Sequence, residues 1–300
     1  MRLITHKIAI LLIACVCILP VIAAAETNHP LLRSAADPEL QAQLEQMVRK
    51  EGLWKNVERG ELAVLLAIVT DPDHPRLAEL NGHKMMYAAS LPKIAILLGA
   101  AVAIEEGKLT LDDQLHEELV NMIRYSCNAC ATRVLELVGR ENLITLLQSP
   151  QYDFYDANGE GGLWVGKDYA AGTAYHRDPL NNLSHGATAF QVARFYYRLN
   201  SGTLVSPEYT ELMMEALSNP GIQHKFVKGL QGTPGLRFFR KSGTWKDYHA
   251  DSALIRHNDQ TYIIVGLAHN RNGDKWLTQL AGPLNDMVVA GPAPKKVALN

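Results

Sequence analysis

The sequence predicts an α+β fold, in which helices and strands occupy separate stretches of the chain. Two observations support this prediction. Apolar, β-branched runs occur near the start and in the final third, while helical periodicity fills the middle. Three of the late runs also follow one another with only turn residues between them, which is typical of an antiparallel meander. We therefore expect a sheet built from both ends of the chain and a separate helical part from the middle.

The first 25 residues have the character of a secretory signal peptide. Arg2 and Lys7 give a positive start, residues 8–22 are apolar, and three alanines end at Ala25. The apolar run is shorter than the roughly 20 residues needed to cross a bilayer. We expect cleavage after Ala25 and a periplasmic or secreted protein that keeps no membrane span. A lipoprotein is the alternative, through the lipobox-like segment that ends at Cys15.

The remaining chain predicts one domain at residues 37–300, preceded by a flexible leader at residues 26–36. The formal net charge is −2 and no basic cluster occurs, which argues against a nucleic-acid partner. The histidines are scattered, without the spacing of a metal site. We expect a monomer that uses no cofactor and no metal.

The first elements are a helix and a pair of strands. Asp37 is a suitable N-cap for a helix that runs to Gly52, because proline follows it in the first turn. Residues 62–70 form an apolar strand, and residues 77–80 are its short partner.

The most apolar helix of the chain begins near Ser90. Residues 94–104 are aliphatic on every face, so this helix is expected to be buried all round, and Gly107 ends it. Ser90 then lies at the positive end of the helix dipole. Lys93 is forced into a dry environment, which lowers the pKa of an amine. A neutral lysine three residues after Ser90 can accept the proton of the serine hydroxyl.

Helical periodicity continues through the middle of the chain. Residues 110–139 predict two helices with a break at Ser126, and two more helices are expected at residues 188–199 and 207–217. Between them, residues 150–186 show little periodicity, and a loop of that length is usually functional.

In the final third of the chain, the pattern of apolar residues changes from helical to strand-like. Residues 236–245, 250–257 and 261–269 predict three consecutive antiparallel strands. Residues 274–290 close the chain as a helix, in which Pro283 is expected to cause a kink.

Three short motifs carry the chemistry of an acyl-transfer site. They read Ser-Leu-Pro-Lys at residues 90–93, Ser-Cys-Asn at 126–128 and Lys-Ser-Gly at 241–243. Together they supply a nucleophile with a nearby lysine, a second hydroxyl with a carboxamide, and a lysine on a strand. The set resembles the penicillin-binding protein and serine β-lactamase superfamily, most closely its class A-like members. That resemblance implies an antiparallel sheet flanked by helices plus an all-helical lobe.

The resemblance also implies a role for each motif residue. Ser90 would be the acylated serine, Lys93 the base that helps to remove its proton, and Ser126 the hydroxyl that relays a proton to the leaving nitrogen. The residues implied in substrate binding are Asn128, Lys241, Ser242, Gly243 and Thr244. The backbone N–H groups of Ser90 and Thr244 would form an oxyanion hole. The substrate would be a β-lactam or a peptidoglycan stem peptide, since both end in an acid.

Two features depart from the family pattern near the first two motifs. Cys127 stands where the middle motif usually has an aspartate, and only 36 positions separate Ser126 from Ser90, which predicts an open cleft. Cys127 and Cys130 are three residues apart at the start of a helix, which fits either a local disulfide or two buried thiols better than a redox or metal site.

Two further departures concern water activation and carboxylate binding. The family's Glu-Pro loop is matched here by Asp178-Pro179 with Asn181, so Asp178 is expected to position the deacylating water, and slowly because its side chain is shorter. The alternatives in the same loop are Glu160, His176 and His185. No arginine follows the third motif at the usual distance, and Asp251 stands nearby instead.

The sequence therefore predicts an exported serine hydrolase that acts through an acyl-enzyme on β-lactams or related amides. One alternative is a D-alanyl-D-alanine peptidase that acts on peptidoglycan. The other is a binding or sensing module that is acylated by a β-lactam and turns over little.

Overall fold

The computed structural model describes residues 29–290, so the expected signal peptide at residues 1–25 lies outside the described residues. The strands, in chain order, are β1 (Leu62–Ile68), β2 (Arg76–Leu80), β3 (Met86–Tyr87), β4 (Tyr155–Asp156), β5 (Gly161–Gly162), β6 (Trp164–Val165), β7 (His185–Ala187), β8 (Leu236–Trp245), β9 (Tyr248–His257) and β10 (Gln260–His269). The helices are α1 (Pro38–Lys50), α2 (Trp54–Glu58), α3 (Lys93–Glu105), α4 (Asp113–Arg124), α5 (Asn128–Val138), α6 (Arg140–Gln148), α7 (Ala189–Asn200), α8 (Pro207–Leu217), α9 (Phe226–Gly229) and α10 (Gly273–Val289).

Five strands form one antiparallel sheet in the order β2-β1-β10-β9-β8. The predicted meander is confirmed as β8, β9 and β10, and the predicted early pair as β1 and β2. β8 is an edge strand, so one row of its backbone groups is not used by the sheet. That edge carries the third motif.

The sheet separates two hydrophobic cores, as the alternation of side chains along β1 shows. Ala63, Leu65 and Ala67 pack into the core of the helical lobe. Val64 and Leu66 point to the opposite face, where they join the core shared with α1 and α10. The predicted α+β fold, an antiparallel sheet flanked by helices plus a helical lobe, is confirmed.

Helix α3 is the centre of the helical lobe and is buried on every face, as its uniform aliphatic pattern predicts. The helix begins at Lys93 rather than at Ser90. Ser90 lies in a tight turn before it, in which the Lys93 amide donates to the Ser90 carbonyl. The turn is tight because Ala89 adopts a positive φ of 51° and Pro92 has no N–H group with which to extend the helix backwards.

The predicted helices and strands occur in the expected order, with further short elements between them that the sequence did not predict. Residues 29–36, expected as part of a flexible leader, instead lie against the domain: Leu32 is buried, and Ala36 bridges to Leu77. Pro283 lies inside α10, which continues to Val289. Within residues 29–290, no helix has both the length and the apolar character needed to cross a membrane.

Candidate active site

The three motifs meet where α3, the α4–α5 connection and the edge strand β8 come together. Lys93 is the first residue of α3, Ser126 lies between α4 and α5, and Lys241 lies on β8. The Ser126 hydroxyl oxygen is 3.3 Å from the Lys93 Nζ and 3.0 Å from the Lys241 Nζ. One residue from each motif is thus in direct hydrogen-bonding contact.

Ser90 is presented by backbone geometry rather than by side-chain contacts. Ala89, just before it, has a left-handed φ of 51°, which is costly for a residue with a Cβ and is typical of functional sites. Opposite, β8 approaches so closely that a Cβ at Gly243 would overlap the Ala88 carbonyl and lie 2.8 Å from the Ser90 nitrogen. Within residues 29–290 the Ser90 N–H makes no hydrogen bond. This N–H beside the nucleophile is therefore suited to an oxyanion.

Lys93 is fully buried and is held by the second motif. Its Nζ lies 2.7 Å from the Ser126 carbonyl oxygen and 2.8 Å from Oδ1 of Asn128. Burial lowers the pKa of Lys93 from 10.5 to about 7. Since one pKa unit corresponds to about 1.4 kcal/mol, the environment opposes the charged form by on the order of 5 kcal/mol.

Four oxygens of the second motif surround Lys93. Besides the Ser126 carbonyl and Asn128 Oδ1, the Cys127 carbonyl oxygen and the Ser126 hydroxyl oxygen each lie 3.3 Å from its Nζ. In the neutral amine, which burial favours, one lone pair is left to accept a proton. The lone pair can then accept the hydroxyl proton of Ser126, while Lys241 donates to the same hydroxyl oxygen. Ser126 thus bridges the two lysines through hydrogen bonds.

Lys241 is buried beside Lys93, and its Nζ also donates to its neighbour's carbonyl, Ser242 O, at 2.9 Å. Burial lowers the pKa of Lys241 well below its ordinary value, and the nearby Lys93 and Arg240 lower it further. Two amines that share one hydroxyl in a dry site oppose each other's charge. The site therefore favours one proton shared between the pair over two full charges.

The predicted binding residues lie along the same edge. Asn128 is the first residue of α5 and points its amide oxygen at Lys93. Ser242 is buried and pairs with Asp251 across the sheet, and Thr244 lies two residues further along β8. Substrate binding by Ser242, Gly243 and Thr244 stays a prediction.

Lys225 supports this edge and was not anticipated from the sequence. Its Nζ donates to the Gly243 carbonyl at 2.7 Å, to Thr244 Oγ1 at 2.8 Å and to the Ala250 carbonyl at 3.0 Å. Burial lowers the pKa of Lys225 to about 8. In sequence it is one lysine in a loop before a short helix, so no local pattern marks it.

The two cysteines form a disulfide at the start of α5. Cys127 and Cys130 are bonded, with Cα atoms 5.4 Å apart. Cys127 is the N-cap residue, and its sulfur accepts the Cys130 N–H at 3.1 Å. Of the two options that the sequence left open, the structure has the local disulfide. The bond encloses Asn128 and directly follows Ser126, so it braces the backbone that binds Lys93.

Asp178 does not line the cleft beside Ser90. Its buried carboxylate accepts the Tyr155 hydroxyl at 2.6 Å and the backbone N–H groups of Leu180, Asn181 and Leu183. A carboxylate with all these donors holds the loop in shape and has no lone pair directed at a water beside Ser90. The geometry therefore argues against the expected role of Asp178 in water activation.

The three alternative loop residues are no better placed. Glu160 pairs with His83, outside the cleft, and His176 faces Glu141. His185 does line the cleft, but its Nε2 donates to the Lys167 carbonyl at 2.9 Å. Burial lowers the pKa of His185 to about 4, which makes it a weak base.

Tyr169 occupies the space next to Lys93. Its ring centroid is 4.5 Å from the Lys93 Nζ, and its hydroxyl donates to the Ala89 carbonyl at 3.2 Å. Burial raises the pKa of Tyr169 well above its ordinary value, so the phenol stays neutral. A neutral aromatic residue therefore covers the lysine. Sequence reasoning missed it because a tyrosine in a long aromatic-rich loop has no distinguishing spacing.

Asp251, which stands near the expected place of an arginine, has an arginine partner of its own. Its carboxylate accepts two hydrogen bonds from Arg240, both at 2.8 Å, and one from the Phe226 N–H at 3.0 Å. Both side chains are buried. This ion pair ties β8 to β9 and to the start of α9.

A cleft of about 970 Å³ opens from the nucleophile. One wall is the loop at residues 167–174, and the other is the end of β8 with the following turn. The lining includes Tyr87, Ser90, Asn128, Tyr169, Thr244 and Tyr248. In the described part of the chain, no group of three or more histidine, cysteine or acidic side chains is arranged to hold a metal ion.

Comparisons with known proteins identify the family and the fold. The sequence model described as the Beta-lactamase enzyme family matches residues 55–118 and 116–288. The fold is similar to a β-lactamase from Sphaerobacter thermophilus DSM 20745, with 16% identity and a TM-score of 0.62 over 79% of this chain and 95% of that one. It is equally similar to PBP-A, with 16% identity and a TM-score of 0.62 over 83% and 95% of the two chains.

A class A β-lactamase from Bacteroides cellulosilyticus DSM 14838 is a further structural neighbour, with 15% identity and a TM-score of 0.61 over 82% of this chain and 97% of that one. At these identities the likeness concerns the fold. No curated protein matched the chain by sequence. Because the family match extends over most of the chain, this protein belongs to the beta-lactamase enzyme family, with the fold of the serine β-lactamases and penicillin-binding proteins.

Proposed function

We propose that this protein is an exported serine hydrolase that is acylated at Ser90 by β-lactams and related carboxylate-bearing amides, and that its acyl-enzyme is hydrolysed slowly. The observation that carries the proposal is a contrast within one site. Lys93 and Lys241 both contact the Ser126 hydroxyl, which supports acylation, whereas the ring of the neutral Tyr169 covers Lys93 and the carboxylate of Asp178 is occupied by the donors of its own loop, which supports slow hydrolysis.

The proposed acylation uses the hydrogen bonds of Ser126 already described, together with a proton transfer from Ser90 to Lys93. Lys93 accepts the proton of Ser90 as the serine oxygen bonds to the substrate carbonyl carbon, and the Ser90 and Thr244 N–H groups hold the oxyanion. Ser126 then passes a proton to the leaving nitrogen as the C–N bond breaks. Lys93 returns the proton of Ser90 to Ser126, so the products are an ester on Ser90 and the free amine. Lys241, beside Ser126, binds the acid of the substrate.

A D-alanyl-D-alanine peptidase is the second candidate, and the open cleft favours it. A volume of about 970 Å³ exceeds what a single small β-lactam fills, and it suits an extended peptide. One of the similar solved structures is a mutant of PBP-A described as an acyl-enzyme complex with penicillin G. The site has the parts needed to form such an intermediate.

A chromogenic cephalosporin tests the proposal directly. We expect one equivalent of colour in a burst, a slow steady state afterwards, and one acyl adduct in the intact mass. The Ser90→Ala protein should show neither burst nor adduct, while Ser201→Ala, a serine at the end of α7, should behave like the wild type. An adduct of the same size on Ser90→Ala would refute the assignment.

A peptide ending in D-alanyl-D-alanine separates the two candidates. Release of D-alanine with steady turnover, from a protein that stays acylated by the cephalosporin, would assign the peptidase activity. Fast turnover of the cephalosporin without an adduct would instead assign an efficient β-lactamase, contrary to the proposal.

A further inference from the structure

The cleft extends from Ser90 away from the lysine that is proposed to bind the substrate acid. Ser90 and Asn128 line the cleft, whereas Lys241 and Ser126 do not. The cleft continues between the loop at residues 167–174 and the end of β8. The part of a substrate that stays on the serine as the acyl group would therefore occupy this extension.

The extension carries an excess of positive charge. Lys167, Arg177 and Lys246 line it, and none of these three forms an ion pair within residues 29–290. Arg177 donates to a backbone carbonyl, that of Asn182, at 3.0 Å. The whole chain has a formal net charge of −2, so this concentration of cations is local and is not a consequence of composition.

The one acidic residue that lines the cleft does not offset these cations. Asp168 accepts two hydrogen bonds from Arg140, both at 2.8 Å, in a bidentate pair. Its charge is therefore already matched by a guanidinium outside the lining. The result is a cleft with unpaired cations on both walls, Lys167 and Arg177 on the loop and Lys246 on the β8–β9 turn.

We propose that the preferred substrate carries a second carboxylate on its acyl arm, which Lys167 and Arg177 bind in this extension. The inference rests on the proposed acylation of Ser90 and narrows its substrate to dianionic amides. A peptide with an acidic group close to the scissile bond has this chemistry, and so does a penicillin with a carboxylated side chain.

The expected effect is moderate and depends on salt, because the cations are partly or fully exposed. Exposed charge pairs contribute little to affinity, but clefts of one charge sign accelerate association by about tenfold or more at low ionic strength. At high salt the Debye length falls to about 3 Å and the gain disappears. The rate of acylation is therefore the quantity to measure.

Three penicillins that differ in side-chain charge provide matched probes. Carbenicillin is benzylpenicillin with an added carboxylate on its side chain, and ampicillin has an amine at the same carbon. We expect second-order acylation rate constants in the order carbenicillin, benzylpenicillin, ampicillin, with roughly a tenfold span at low salt. The ratio of the fastest to the slowest rate constant should fall by roughly several-fold in 0.5 M salt, because salt screens the charges of the cleft.

Paired charge variants locate the effect. In Lys167→Gln/Arg177→Gln, the acylation rate constants for carbenicillin and ampicillin should become about equal, whereas electrostatic steering makes them differ by roughly tenfold in the wild type. Lys50→Gln/Lys55→Gln removes the same number of positive charges from α1 and α2, which do not line the cleft, and should keep the wild-type ratio of the two rate constants. Equal rates for all three penicillins on the wild type, at low and high salt, would overturn this inference while leaving the proposed acylation intact. No adduct with any of them would overturn both.

Discussion

Lys93 is the residue whose surroundings determine the chemistry of the site. Its burial is encoded in the aliphatic helix that follows it, and so the lowered pKa could be predicted from the sequence. The partners of Lys93 could not be predicted, because Ser126 and Asn128 reach it through the fold rather than through local spacing. The same limit applies to Asp178, whose sequence context does not reveal that four donors occupy its carboxylate.

The pH dependence of acylation should follow the lowered pKa of Lys93. The neutral amine is the base, so the acylation rate should rise with pH through a midpoint at about 7 and level off above it. Stopped-flow measurement with a chromogenic cephalosporin between pH 5.5 and 9 tests this. Lys93→Ala should be slower by about 10²- to 10⁴-fold. A flat wild-type profile would rule out Lys93 as the titrating base.

Tyr169 should control that midpoint by excluding water from Lys93. Its ring covers the Nζ at 4.5 Å, and the desolvation penalty of about 5 kcal/mol exceeds the roughly 2 kcal/mol that a cation–π contact returns to the charged amine. Tyr169→Ala should therefore raise the midpoint by about one unit or more. Tyr169→Phe keeps the ring and should leave the midpoint near that of the wild type. If both variants shift equally, the hydroxyl matters rather than the ring.

At the scale of elements, the start of α5 determines where Ser126 and Asn128 lie. The disulfide caps this helix at the position where relatives carry an aspartate, and aspartate is itself a preferred N-cap. Cysteine spacing and the expected export of the chain made the disulfide one of two options, but only the structure shows that it closes around Asn128.

Loss of the cap should slow acylation without abolishing it. Cys127→Ala/Cys130→Ala should lower the acylation rate by about tenfold, since misplacing a catalytic group by 1 Å costs up to about 10²-fold. Cys127→Asp/Cys130→Ala replaces one cap with another and should recover most of the rate. The acylation rates of the wild type and the two variants, and the midpoints of their pH profiles, test whether the helix cap or the covalent bond is needed. Equal loss in both variants would mean that the covalent bond itself, rather than the cap, is needed.

The edge strand β8 depends on a buried ion pair for its position. Asp251 accepts four hydrogen bonds, two of them from Arg240, and both residues are almost completely buried. Removing one partner leaves an unpaired buried charge, so Asp251→Ala should lower the free energy of unfolding by about 3–5 kcal/mol. Asp247→Ala, in the exposed turn next to β9, should change it by less than about 0.5 kcal/mol. Urea unfolding curves of the two variants test this, and a small effect of Asp251→Ala would show that the pair contributes little.

At the scale of the whole molecule, the order of elements along the chain was enough to predict the fold. A continuous apolar run identified β1, three strand-like runs separated by turn residues identified the late meander, and the buried helix was evident from its composition. The shape of the cleft was harder to predict from the sequence. The loop at residues 150–186 has little periodicity, and its aromatic and charged side chains take their positions from contacts with β7 and the nucleophile turn.

The proposal of acylation at Ser90 followed by slow deacylation is best tested by the lifetime of the acyl-enzyme. The mature wild-type protein is mixed with excess benzylpenicillin, the excess is removed, and the intact mass is followed with time. We expect complete conversion to a single adduct on Ser90 that persists for many minutes after the ligand is removed. A protein that consumes the excess penicillin rapidly and shows only its unmodified mass would contradict slow deacylation, and would require an acid that reaches the site in solution.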